Sequence, residues 1–102
     1  MEALEALMLS PKDNVATSLR EIEPLSDVRV RLNKEVRHVK ALEKIPFGFK
    51  IAVARIPKGS GVIKYGEPIG VASRDIESGQ LVHIHNIEGA RGRGDLQKGE
   101  SQ

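Results

Sequence analysis

One pattern constrains the fold of this chain more than any other: an apolar residue, two spacers, a turn residue, two spacers and a β-branched residue. Ile45-Pro-Phe-Gly48-Phe-Lys-Ile51, Ile56-Pro-Lys-Gly59-Ser-Gly-Val62 and Ile76-Glu-Ser-Gly79-Gln-Leu-Val82 are copies, and Ile22, Leu25 and Val28 form a degenerate one without the glycine. Glycine takes a positive φ with no Cβ penalty, so each copy reads as a tight turn with its flanking apolar residues tucked beneath it and a strand starting just after. The spacing between copies is too irregular, and the chain too short, for a solenoid. The pattern predicts a compact, partly pseudo-symmetric, mainly β fold.

Composition agrees with a single globular unit. The chain has 102 residues, 39% hydrophobic and 29% charged, and a domain near this size buries roughly two-thirds of its unfolded surface. Its aromatic residues are Phe47, Phe49 and Tyr65, so the core must be aliphatic and base-stacking platforms are nearly absent. A formal net charge of +2, from 16 basic and 14 acidic residues, is too mixed to predict phosphate binding, and no nucleic-acid partner is expected. The absence of cysteine excludes disulfides, thiolate metal sites and cysteine nucleophiles within the chain. The longest apolar runs, Ala6 to Leu9 and Ile51 to Ala54, are too short for a membrane span or a signal-peptide core, which makes the cytoplasm the expected address and leaves no membrane partner.

Local pattern gives the elements. Residues 13 to 22 read as a short helix, with Asp13 as its cap and Val15, Leu19 and Ile22 on one face. After Pro24, Val28, Val30 and Leu32 alternate with Arg29 and Arg31 as in a half-buried strand, and Asn33-Lys34 turns the chain into a second strand over roughly 35 to 42. The expected core is Val15, Leu19, Ile51, Val53, Ile56, Val62, Ile69, Val71, Ile76 and Val82. The domain runs from 1 to 88. Residues 89 to 102, with Arg91-Gly-Arg-Gly-Asp95, have no core-forming pattern and read as a flexible Gly/Arg-rich tail.

Three segments offer chemistry. In Val82-His83-Ile84-His85-Asn86, a strand would project His83 and His85 to the same face, toward one metal or one substrate, or leave them as plain exposed histidines. Asp13-Asn14 is either a simple N-cap or a set of helix-terminal donors for a carboxylate. In Lys64-Tyr65-Gly66-Glu67-Pro68 the lysine either pairs with a substrate carboxylate or sits on the surface beside a packing tyrosine. His38 lies in a basic stretch, residues 29 to 44, that suits a solvated face or an acidic partner.

These segments occur together and in order, and with them the chain resembles the small subunit, equivalent to the N-terminal domain, of the altronate and galactarate dehydratase family. The residues that carry the resemblance are Asp13-Asn14-Val15-Ala16, Ile45-Pro-Phe-Gly48-Phe-Lys50-Ile-Ala52, Ile63-Lys64-Tyr65-Gly66-Glu67-Pro68-Ile69-Gly70 and Val82-His83-Ile84-His85-Asn86. The resemblance implies an SAF domain of the β-clip class. It implies, too, a lyase that removes water from an aldonic or aldaric acid to give a 2-keto-3-deoxy acid, and that is active only with a large catalytic subunit. On that reading His83 and His85 are catalytic candidates and an incomplete pair of metal ligands, and Asp13, Asn14, Lys50, Lys64 and Asn86 bind the sugar-acid substrate. A divalent metal, iron or manganese, would be held mainly by the large subunit, and a homo-oligomer is left open. One position departs from the family: the usual Gly-His-Lys is Gly48-Phe49-Lys50 here, and no family role is carried to Phe49. The alternatives are the small subunit of a sulfolactate-type sulfo-lyase and a non-catalytic SAF carbohydrate-binding or assembly module.

Overall fold

The computed structural model describes residues 4–89. Every element in them is a strand: β1 (Ala6–Met8), β2 (Val15–Ser18), β3 (Asp27–Leu32), β4 (Glu35–Lys40), β5 (Lys50–Ala52), β6 (Gly61–Lys64), β7 (Glu67–Ala72), β8 (Leu81–Val82) and β9 (Ile87–Glu88). They form a six-stranded sheet in the order β4-β3-β1-β2-β5-β8 and a three-stranded sheet in the order β6-β7-β9. The mainly β fold class holds, and the hairpin expected after Pro24 is β3 and β4, turning at Asn33 with φ 56°.

The repeated pattern closes each sheet on itself: three copies clip within the six-stranded sheet and the Gly59 copy within the three-stranded one. Each copy makes a β-turn, closed by a bond from Ser26 N–H to Glu23, Phe49 to Pro46, Ser60 to Pro57 or Gln80 to Glu77. The third turn residue has positive φ in all four: Leu25 at 67°, Gly48 at 84°, Gly59 at 88° and Gly79 at 95°. Each turn then clips onto one distant residue. The N–H groups of Leu25, Gly48, Gly59 and Gly79 donate to the carbonyls of Ala41, Ser18, Ala72 and Ala52, and those four residues donate back to Ser26, Phe49, Ser60 and Gln80. All four clip partners are small and buried. The isoleucines that open the units pair as well: Ile22 bridges Ile45, and Ile56 bridges Ile76.

Strands β2 and β5 are the wall between two aliphatic cores. Ala16 and Ile51 face a cluster with Ala6, Met8, Ile22, Val28, Val30 and Ile45, whereas Val15 and Ala52 face one with Ile56, Val62, Ala72, Ile76 and Val82. This two-sided burial is why the helix expected over 13 to 22 does not form. A strand covered on both faces loses its alternation, and Val15, Ala16 and Ser18 are all buried in β2. Leu19 is exposed rather than core. Ile69 is exposed too, and Val53 and Val71 are half-buried. In β7 the small residues Gly70 and Ala72 face inward, since a Cβ at Gly70 would meet the Glu88 carbonyl at 2.5 Å. The expected tail, apart from Gly89, lies outside the described residues.

Candidate functional site

Asp13 and Asn14 build the site without facing it. Asp13 is only 6% exposed; its Oδ2 accepts the N–H groups of Leu9 and Ser10, and its Oδ1 accepts that of Gly66 at 2.7 Å. A helix cap would bind the residues that follow it. Asp13 instead joins the β1–β2 loop to the tip of the β6–β7 hairpin. Asn14 works as a backbone mimic beside it: Oδ1 accepts the Ile63 N–H at 2.7 Å and Nδ2 donates to the Gly61 carbonyl at 2.9 Å. The two side chains dock the three-stranded sheet against β2.

That docking places Tyr65. Lys64 pairs with Glu67 across a two-residue turn in which Tyr65 has φ 55° and Gly66 φ 81°. Two positive φ values define the type I′ hairpin turn, whose first position favours Asn, Asp or Gly over a bulky residue. Tyr65 is held there by its hydroxyl, which donates to Thr17 Oγ1 at 3.0 Å. The Lys64 Nζ lies 5.0 Å from the centroid of the Tyr65 ring, within the range of a cation–π contact.

Lys50 completes the group from β5. It pairs directly with Thr17 on β2 and with Val82 on β8, and directly opposed residues put their side chains on one face of a sheet. Thr17, Lys50 and Val82 therefore form a row at the end of the face that Val15 and Ala52 cover. The Lys50 amine is held below the ordinary lysine range, first by burial and then by repulsion from the nearby Lys64 ammonium. The described side chains give neither lysine a carboxylate partner.

The histidine segment differs from the expected geometry. β8 ends at Val82, so His83 and His85 do not sit on a strand. Asn86 ends it: its Oδ1 accepts the His83 N–H at 2.9 Å, its Nδ2 donates to the Leu81 carbonyl at 2.8 Å, and the backbone N–H groups of Asn86 and Ile87 donate to the His83 carbonyl. Asn86, 3% exposed, is thus the peg of a turn. His83 is half-buried with its ring centroid 4.6 Å from that of Phe49, tilted by 43°. His85 is exposed, beside Ile84 at 82%. The structure brings together Lys50, Lys64, Tyr65 and Thr17, leaves His83 against Phe49 on the first-core face of the sheet, and commits Asp13, Asn14 and Asn86 to internal bonds. Thr17 is the member that the sequence does not mark. Its only signal is the alternation with Val15 on β2.

No group of three or more His, Asp or Glu side chains among the described residues is placed to hold a metal ion. His83 and His85 belong to no such cluster, so the described part of this chain does not fit a resident metal.

Two sheets joined where Asp13 and Asn14 tie the β6–β7 hairpin to β2, with two lysines gathered there, define a mainly β domain. The chain belongs to the family described as the altronate/galactarate dehydratase SAF domain, which matches residues 4–90. It is 35% identical over 82 residues to the altronate dehydratase of Bacillus subtilis (strain 168) and 36% identical over 83 residues to that of Escherichia coli (strain K12). These matches cover 80% and 81% of this chain and 16% of each enzyme. It is also 45% identical over 47 residues to the (2R)-sulfolactate sulfo-lyase subunit alpha of Paracoccus pantotrophus, covering 46% of this chain and 70% of that subunit. No helix among the described residues is long and apolar enough to cross a membrane.

Proposed function

We propose that this chain is the small component of a sugar-acid dehydratase, active only with a large catalytic component. The observation that supports it is the pair of contexts in which the sequence recurs: as 16% of altronate dehydratases, and, over 46% of this chain, in a protein named a subunit of a lyase. The reaction takes the proton α to a carboxylate, expels the β-hydroxyl as water and leaves an enol that tautomerises to a 2-keto-3-deoxy acid. It needs a positioned base, a proton donor for the leaving hydroxyl and positive charge near the developing enediolate. Lys50 and Lys64 supply charge, and His83, held against Phe49, is the proposed proton carrier. A stabilising centre for the enediolate falls to the larger component.

The test is to mix the purified chain with its cognate large component and assay 2-keto-3-deoxy acid formation from altronate and galactarate. Activity should require both. Turnover by the chain alone would overturn the reading. A second reading, a sulfo-lyase small subunit, rests on the 45% identity to the Paracoccus protein; sulfite release from sulfolactate in the same mixture, with no dehydration, would establish it instead.

A further inference from the structure

We infer that Lys50, Lys64 and the Tyr65–Thr17 hydroxyl pair form an anion cradle that takes the carboxylate of a 2-hydroxy acid. This rests on the proposed function and assigns the part of the substrate that this chain holds. Four separate observations converge on it. The two ammonium groups repel one another, and the described side chains offer neither a carboxylate, so a counter-ion for the pair must come from beyond the described side chains. Lys50 is half-buried, where an unpaired charge is most costly and an incoming counter-ion most strongly held. Tyr65 keeps a backbone conformation that bulky residues avoid, and such strain persists where the surroundings over-determine it and clusters at ligand sites. Finally, the Tyr65 and Thr17 hydroxyls share one hydrogen bond, which leaves one of their two protons to be donated to a ligand oxygen.

The carboxylate is favoured over a bare inorganic anion because the cradle mixes two charges with a neutral hydroxyl donor and an aromatic face. A 2-hydroxy acid presents the matching set, two charged oxygens beside a hydroxyl. Asp13 and Asn14 lie under the cradle as positioning residues, since they fix the Gly66 and Ile63 backbone on which Lys64 and Tyr65 are mounted.

The experiment is a ¹H–¹⁵N NMR titration of the full chain with sodium gluconate as the probe, and with sorbitol and sodium sulfate as controls. Gluconate should shift the Lys50, Lys64, Tyr65 and Gly66 amides with a dissociation constant of about a millimolar, a scale set by a few polar contacts. Lys50→Gln and Lys64→Gln should each weaken binding about tenfold, the size of one charge-assisted hydrogen bond. Lys50→Arg should recover part of the loss, and saturation should raise the Lys50 pKa. Sorbitol should shift none of these amides. Unchanged gluconate binding in the double glutamine variant, shifts centred on Ile84 and His85, or sulfate binding as tightly as gluconate would each overturn the cradle. A well-dispersed spectrum of each variant separates loss of the site from loss of the fold. Lysine variants that fail to bind gluconate yet sustain full dehydration with the large component overturn the cradle alone. A chain that binds gluconate as described but never supports dehydration overturns the lyase reading alone.

Discussion

Gly79 donates its backbone N–H to the carbonyl of Ala52 at 2.8 Å, and Ala52 returns a bond to the carbonyl of Gln80 at 2.9 Å. The same exchange joins Gly48 to Ser18, Gly59 to Ala72 and Leu25 to Ala41, so four turns grip four small residues in one geometry. What distinguishes the copies is the space at the third turn residue. At Gly79 a Cβ would stand 2.0 Å from the Lys40 carbonyl, while at Gly48 and Gly59 it meets nothing within 4 Å.

Glycine substitutions should therefore separate into two classes. Gly79→Ala forces backbone apart and should cost about 3 kcal/mol or more, whereas Gly48→Ala and Gly59→Ala carry only the positive-φ penalty of about 1–2 kcal/mol. Leu25 is the reverse case: it sits at φ 67° with its side chain 69% exposed, so it bears the strain with little burial in return. Leu25→Gly should stabilise by about 0.5 kcal/mol, the strain relieved less the extra entropy glycine loses on folding. Urea denaturation of the four variants checks the order. A Gly79→Ala protein as stable as Gly48→Ala would refute the clip geometry.

Asp13 and Asn14 should behave as structural residues before any assay of activity. Removing the Asp13 carboxylate orphans the N–H groups of Leu9, Ser10 and Gly66, so Asp13→Ala should cost about 2–4 kcal/mol, with Asn14→Ala costing about 1–3 kcal/mol. Asp13→Asn should fall between wild type and Asp13→Ala, because an amide oxygen replaces only part of the acceptor set. Thermal melts give the ranking. Wild-type stability in Asp13→Ala would mean that the hairpin is docked by something else.

Lys50 supplies a pH dependence of definite sign. Its folded-state pKa is depressed by burial and by Lys64, so the unfolded chain binds more protons than the native one in the window just below the ordinary lysine pKa. Stability from this group rises with pH across that alkaline window, and the penalty is fully present at neutral pH, where both states are charged. Lys50→Gln should thus be more stable than wild type at pH 7 and lose its advantage as pH rises. An unchanged difference between the two proteins from pH 7 to pH 10.5 would contradict this sign.

How much of this was legible in the sequence follows from which backbone states select residues. A positive φ selects glycine, so three of the four clips announce themselves, and Leu25 is found only by its spacing from Ile22 and Val28. The segment from Asp13 misleads because the same oxygen-to-amide chemistry serves a helix cap and a long-range tie, and because Val15, Leu19 and Ile22 fall at helical intervals on a chain that strand neighbours cover from both sides. Lys50, Lys64 and Tyr65 are conspicuous as residues, but their convergence depends on the pairing of Lys50 with Thr17 and the docking of the Tyr65 turn, neither of which periodicity encodes. The two histidines would share a face only on a continuing strand, and Asn86 ends it by taking the His83 N–H.

That ending also ranks the histidines. His83 is half-buried against the ring of Phe49, which packs on the first aliphatic core, the face of the sheet opposite Lys50, so its imidazole is confined but not beside the cradle. His85 lies at the crown of the turn, exposed, with Ile84. A proton carrier must be held near one geometry to be effective. In the complex with the large component, His83→Ala should therefore lower kcat about 10²-fold, the lower range for a general acid or base, while His85→Ala lowers it less than about threefold. Phe49→Leu keeps an apolar neighbour but loses the ring, and should lower kcat by a smaller factor while KM stays within about twofold, because it loosens the imidazole without touching the carboxylate. Measuring kcat and KM for the three variants decides it. Equal losses at His83 and His85 would show that packing on Phe49 does not select the working histidine, and a His83→Ala enzyme with full kcat would remove histidine chemistry from this component altogether.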